Sequence, residues 1–104
     1  MGAVVVNNED AQRYELRDDG DLQGFASYKL AGDRLAVLHV EIFHAYENKG
    51  LGRLLVEDVF EDARRRGLAV IPACPFARVV IQRNPSAYLD LVPAELRADL
   101  GLSE

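Results

Sequence analysis

The hydrophobic period of this chain changes once, and the change falls at a glycine-rich turn. Up to Phe43 the apolar residues come in short runs closed by tight turns. Val4 to Val6 is a β-branched run, followed by Asn7-Asn8-Glu9-Asp10 as a turn. Arg13 to Arg17 alternates, with Tyr14 and Leu16 on one side and Arg13, Glu15 and Arg17 on the other. Asp18-Asp19-Gly20-Asp21 is a hairpin signal. Leu22 to Leu30 reads as a third strand, with Phe25, Ser27 and Lys29 opposite Ala26, Tyr28 and Leu30. Ala31-Gly32-Asp33 turns again, and Leu35 to Phe43 is the fourth and most apolar strand. Three turn-linked connections in succession predict an antiparallel meander.

From Leu51 to Arg66 the spacing is helical. Leu51, Leu55 and Val59 form one row, and Val56, Phe60 and Ala63 the next. Glu61–Arg65 and Asp62–Arg66 are i,i+4 pairs, Arg64 to Arg66 suit the negative end of the helix dipole, and Gly67 suits its C′ position. Leu68 to Ile71 reads as a short buried strand and Phe76 to Arg83 as a helix ended by Pro85. Tyr88 to Val92 and Ala94 to Leu100 are shorter helical segments. Leu55, Phe60 and Phe76 read as core. The predicted class is α+β: a four-stranded meander, then helix, strand and helix, in one domain over residues 1–104.

Composition narrows the partners. At 104 residues with 49% hydrophobic content, one unstapled core is feasible. No apolar run approaches the ~20 residues of a bilayer span, and Met1 to Asp10 lacks a basic leader. One cysteine forms no internal disulfide and no cysteine metal cluster, so a reduced cytoplasmic setting and no metal are expected. Residues 1–48 carry nine acids against four bases, a balance of −5, whereas residues 49–75 carry five bases against four acids, a balance of +1. That distribution argues against nucleic acid. It allows a small anion at one local site and a cationic acceptor drawn to the acidic front half.

The segment Glu47-Asn48-Lys49-Gly50-Leu51-Gly52-Arg53 opens the main helix. The first amides of a helix have no intrahelical partner and sit at its positive end, so they can hold phosphate. Gly50 and Gly52 permit close approach and positive φ, and Lys49 and Arg53 add charge. The turn reads either as a diphosphate cradle or as a helix start that merely uses glycine. A Walker loop would need Gly-Lys-Ser/Thr, and a dinucleotide fingerprint a third glycine where Leu55 stands.

A strand, then [Gln/Arg]-x-x-Gly-x-[Gly/Ala], then a long amphipathic helix resembles the acetyl-CoA site of GNAT-type N-acetyltransferases. Within that superfamily nearly the whole chain resembles the short, single-domain GNAT-like group. The further matches are His39-Val40-Glu41, Pro72-Ala73-Cys74-Pro75-Phe76 and Asn84-Pro85-Ser86-Ala87-Tyr88-Leu89-Asp90-Leu91-Val92. Glu47 departs from the usual Gln or Arg, Asn84 from the more usual His, and one residue is inserted between Pro85 and Tyr88. The helices that most GNAT enzymes carry between their first two strands, shaping the acceptor site, have no counterpart between Val6 and Ala11. The resemblance thus implies a minimal acyl-CoA N-acyltransferase fold.

The resemblance also implies acetyl transfer from acetyl-CoA to an amine on a small molecule, peptide or protein, by a monomer or weak homodimer. The fourth and fifth strands would splay apart around pantetheine, which pairs with backbone of the His39–Ile42 segment, including Val40 and Ile42. Asn48, Lys49, Gly50, Leu51, Gly52 and Arg53 would hold the diphosphate; Arg83 and Asn84 would meet the adenosine end, and Tyr88 could contact CoA or donate a proton. Transfer needs a base for the amine and a proton for the leaving thiolate. His39 and Glu41 share a strand face and either could accept the amine proton. Cys74 could take the acetyl group and pass it on, protonate the departing thiolate, or be a small buried hydrophobe. The alternative to an enzyme is a noncatalytic module that binds CoA or acetyl-CoA as a sensor or partner subunit.

Overall fold

The computed structural model describes residues 2–102. Met1, Ser103 and Glu104, which the expected 1–104 domain includes, lie outside the described residues. Five strands form one sheet in sequence order: β1 (Val4–Asn8), β2 (Arg13–Asp18), β3 (Asp21–Ala31), β4 (Arg34–Ile42) and β5 (Ala69–Pro72). The first four pair antiparallel, and β5 joins β4 in parallel. A parallel neighbour needs a crossover, and α1 (Leu51–Arg65) supplies it. After β5 come α2 (Pro75–Arg83), α3 (Pro85–Tyr88), a 3-10 turn at Leu89–Leu91 and α4 (Ala94–Arg97). Among the described residues no helix is long and apolar enough to cross a membrane.

The differences from expectation have local causes. Asn7 and Asn8 extend β1 rather than turning, because Asn7 Oδ1 accepts the Tyr28 hydroxyl at 2.7 Å and Asn8 Nδ2 donates to Glu15 at 3.1 Å. Pro85 not only stops α2 but opens α3 at N1, where its missing N–H costs nothing. The tail helices are shorter than the segments predicted. Arg65 reaches Asp62 at 2.6 Å instead of pairing with Glu61.

All the helices that contribute to the core lie on one face of the sheet. Leu55, Val56, Val59, Phe60 and Ala63 of α1 are buried on Tyr14, Leu16, Ala26, Tyr28, Leu35 and Val37. Burying each Val, Leu or Phe there is worth about 1.5–3 kcal/mol. Ala77, Val80 and Ile81 of α2 join the same cluster, as do Tyr88, Leu89, Leu91, Val92 and Leu102 of the tail. Phe60 meets the Tyr88 ring at 5.1 Å. Phe76 is a correction: it is 40% exposed, because α2 turns that side toward a cavity rather than toward the sheet.

The other face carries two cross-strand rows. One is Val6, Glu15, Phe25 and Glu41; the other is Asn8, Arg13, Ser27 and His39. A β-bulge decides this. Ser27 pairs with His39 but Tyr28 pairs with Val37, so Leu38 is the extra residue in β4. Leu35 and Val37 point into the core before it, while Val40 and Ile42 take that side after it. Without the bulge, simple alternation from Leu35 would bury His39 and Glu41.

Candidate active site

The β4–β5 ladder runs from Arg34–Ala69 to Val37–Pro72 and stops. Its last link is the Cys74 N–H donating to the Val37 carbonyl at 3.0 Å. Pro72 has no N–H to continue the ladder, its carbonyl accepts from Arg78 at 3.1 Å, and Pro75 starts α2. Beyond this fork β4 pairs with β3 alone. The Phe43 N–H goes to the Gln23 carbonyl at 2.9 Å, so by alternation the main-chain groups of Val40 and Ile42 face the gap. Gly24 lets β3 hug this end of β4: a Cβ there would strike the Glu41 carbonyl and lie 2.7 Å from Ile42 Cδ1.

Helix α1 starts at the mouth of the gap. Gly50 is left-handed at φ 74°, and no side chain caps the helix. The first intrahelical bond is Leu54 N–H to the Gly50 carbonyl at 3.2 Å, which leaves the amides of Leu51, Gly52 and Arg53 without helical acceptors. Gly52 lies under Phe76, where a Cβ would stand 3.1 Å from Cζ and 3.2 Å from Cε2. These elements enclose about 630 Å³, walled by Val40 and Ile42, by Tyr46, Glu47, Asn48 and Gly50, by Leu51, Gly52 and Arg53, and by Phe76 and Arg83.

Of the predicted binding residues, Val40, Ile42, Asn48, Gly50, Leu51, Gly52, Arg53 and Arg83 therefore share one cavity. Lys49 is exposed on the turn and is not part of its wall. Asn84 stands at the α2–α3 junction, accepting from Ser86 Oγ at 3.3 Å. Tyr88 is buried on Phe60, and burial, then the neighbouring Glu57 carboxylate, pushes its phenol pKa up. Tyr46 and Phe76 are walls that sequence reasoning missed. Glu47 also lines the cavity, with its Oε1 3.1 Å from Nδ1 of the exposed His44, and Arg53 Nε donates to Glu57 at 3.2 Å.

Of the catalytic candidates, His39 and Glu41 meet each other. His39 Nε2 lies 3.3 Å from Glu41 Oε1, with side chains 60% and 50% exposed on the helix-free face. Cys74 sits at the apex of the fork as the residue preceding α2, its side chain buried in the core cluster. A second, polar cavity of about 190 Å³ lies near the other end of α1, between Val5, Asn7, Tyr14, Asp58, Asp62 and Arg65. Tyr14 Oη donates to Asp62 there at 2.5 Å. Its polar groups are largely bonded to one another, and they brace the fold.

The sequence profile of a family described as GCN5-related N-acetyl-transferase matches residues 13–91. The chain belongs to this GCN5-related N-acetyltransferase family. It is 41% identical over 51 residues to a streptothricin acetyltransferase of Streptomyces lavendulae, a stretch covering 47% of this chain and 27% of that relative. The chain therefore spans about a quarter of the curated relative. Among solved structures it is similar to a GCN5-like N-acetyltransferase from Staphylococcus aureus, with TM-score 0.65, 20% identity, and 86% and 87% of the two chains covered. The ribosomal-protein-S18-alanine N-acetyltransferase of Escherichia coli gives TM-score 0.57 at 20% identity, covering 82% of this chain and 54% of that one. N-acetylglutamate synthase from Neisseria gonorrhoeae, complexed with coenzyme A and N-acetyl-glutamate, gives 0.51 at 22% identity, over 60% and 16%. These likenesses establish the acyl-CoA N-acetyltransferase fold.

Proposed function

We propose that the chain transfers acetyl from acetyl-CoA to an amine. The observation that carries this reading is the uncapped start of α1, opening into a cavity at the fork of β4 and β5. The residues present fit the carrier. The free amides of Leu51, Gly52 and Arg53 would hold its diphosphate, Arg83 would add charge, and Val40 and Ile42 offer main-chain groups along the gap. When bound, acetyl-CoA supplies the activated thioester.

The chain's own contribution begins on the opposite face. Glu41, oriented by His39, takes the proton of the incoming amine, and its exposure keeps that proton in exchange with water. Cys74, at the apex of the fork, is buried and not part of the cavity wall, so its role as proton donor or acetyl acceptor requires the thiol to turn toward the gap. Intact mass after incubation with acetyl-CoA alone distinguishes the two. A gain of one acetyl that Cys74→Ala abolishes identifies the relay, and an unchanged mass with reduced turnover in that variant identifies the donor. Full turnover in Cys74→Ala removes Cys74 from the chemistry.

Labelled acetyl-CoA with a panel of amines and lysine peptides tests the whole reading. Transfer to an acceptor is the expected result. Glu47, a carboxylate on the wall that would face phosphate, favours the second reading, a noncatalytic CoA-binding sensor or partner module; CoA binding with no transfer to any acceptor would select it.

A further inference from the structure

The helix-free face holds more than a base. His39, Glu41 and Phe43 alternate onto it, and Phe25 lies directly across from Glu41. The Phe25 ring meets Phe43 edge-on at 6.2 Å and His39 at 6.0 Å. Glu41 thus stands half-exposed within a frame of three rings. β1 and β2 are joined by a tight turn with no helix between them, and the His39 and Glu41 side chains on this face are 60% and 50% exposed. One face of Phe25 already holds a cation, the Arg13 guanidinium 5.0 Å from the ring centroid and fixed by its 2.8 Å bond to Glu15, so a second cation must meet Phe43 and the side of Phe25 turned toward β4.

We propose that Phe25 and Phe43 with Glu41 form a recognition site for an alkylammonium, so that the acceptor is a primary amine on an unbranched aliphatic chain. This rests on the acetyltransferase reading and gives it a substrate class. Such amines arrive protonated at neutral pH. A carboxylate beside aromatic rings attracts the ammonium through charge and cation–π contact, and the apolar rings accept its methylenes. The same carboxylate repels acceptors that carry an anion beside the amine. The side chain of a peptide lysine and a free diamine present the same group.

Butyltrimethylammonium is a probe that cannot be N-acetylated. Titrated into the whole chain, it should shift the Phe25 and Phe43 ring resonances and compete with the amine acceptor. Glu41→Gln and Phe43→Leu should weaken its binding about three- to tenfold, and Phe43→Tyr should restore it. In turnover, Phe43→Leu should raise KM for 1,5-diaminopentane and for a lysine peptide together. If KM rises for only one, that amine source is the one the site serves. Acetyl-CoA affinity, measured on the same samples, should not move; its absence in the wild-type chain would sink the parent reading while leaving the ammonium site to be judged by the rings. Ring resonances unmoved by the probe, or a KM for glutamate equal to that for diaminopentane, would overturn the proposal. Glu41→Gln changes an exposed side chain and keeps the test open should Phe43→Leu fold poorly.

Discussion

Gly50 and Gly67 bracket α1, both left-handed at φ 74° and 68°, yet the helix ends they mark are built oppositely. At the C-terminal end Leu68 N–H reaches the Ala63 carbonyl at 2.9 Å and Gly67 N–H the Arg64 carbonyl at 3.1 Å, a Schellman closure. Arg64 then binds Asp90 at 2.8 Å and the Ala87 carbonyl at 2.6 Å, tying the helix to the tail. Asp62 accepts from Tyr14, Arg65 and Arg66. At the N-terminal end no side chain caps the helix, and its free amides look into the larger cavity. The contrast supports the proposal that the open end of α1, beside the cavity, receives the acceptor atoms of the carrier.

The comparison predicts that substitutions at the closed end move stability alone and those at the open end move ligand affinity alone. The largest effect is expected from Asp62→Ala, which strips the Tyr14 hydroxyl of its acceptor. It should lower unfolding free energy by about 1–3 kcal/mol in a urea titration and leave acetyl-CoA affinity unchanged. Burial works to raise the Asp62 carboxyl pKa, but hydrogen bonds from Tyr14 and Arg66 outweigh it and hold it below its ordinary value. Its contribution is therefore fully present above about pH 4 and lost as pH falls through the lowered pKa. The gap between wild type and Asp62→Ala should narrow in that acid range.

Gly52→Val comes next. Its Cβ presses on the Phe76 ring and its methyls crowd the first amides of α1, so acetyl-CoA affinity should fall at least about tenfold, ~1.4 kcal/mol, while the unfolding midpoint stays close to wild type. The smallest effect sharpens the picture of the open end. Glu47→Gln removes a carboxylate from the cavity wall and should tighten acetyl-CoA binding about two- to fivefold at low salt, with the gain shrinking as salt rises.

The two ends also differ in how far the sequence discloses them. The order of the first four strands, the helix and its bounding glycines follow from hydrophobic period and turn chemistry, because these are local properties; the place of β5 beside β4 does not, and only the family resemblance implied it. Gly50 and Gly52 are legible as the opening of that helix for the same reason. The bulge at Leu38 is not, since it exists only in the register between β3 and β4. The side of the sheet to which His39 and Glu41 belong is therefore hidden, although their sharing one side is plain. Phe76 lies in an apolar helical pattern, and period alone does not say whether that side meets the sheet or a cavity. Gly24 did leave a signal, a glycine inside a strand, which marks close approach of another backbone.

Calorimetric titration of acetyl-CoA into the wild-type chain, Gly52→Val and Asp62→Ala tests the central contrast most directly. Saturable binding to wild type that weakens in Gly52→Val and persists in Asp62→Ala is the predicted result. No heat and no thermal shift with wild type, or equal affinity in wild type and Gly52→Val, would contradict the assignment of the open end of α1 as the carrier site.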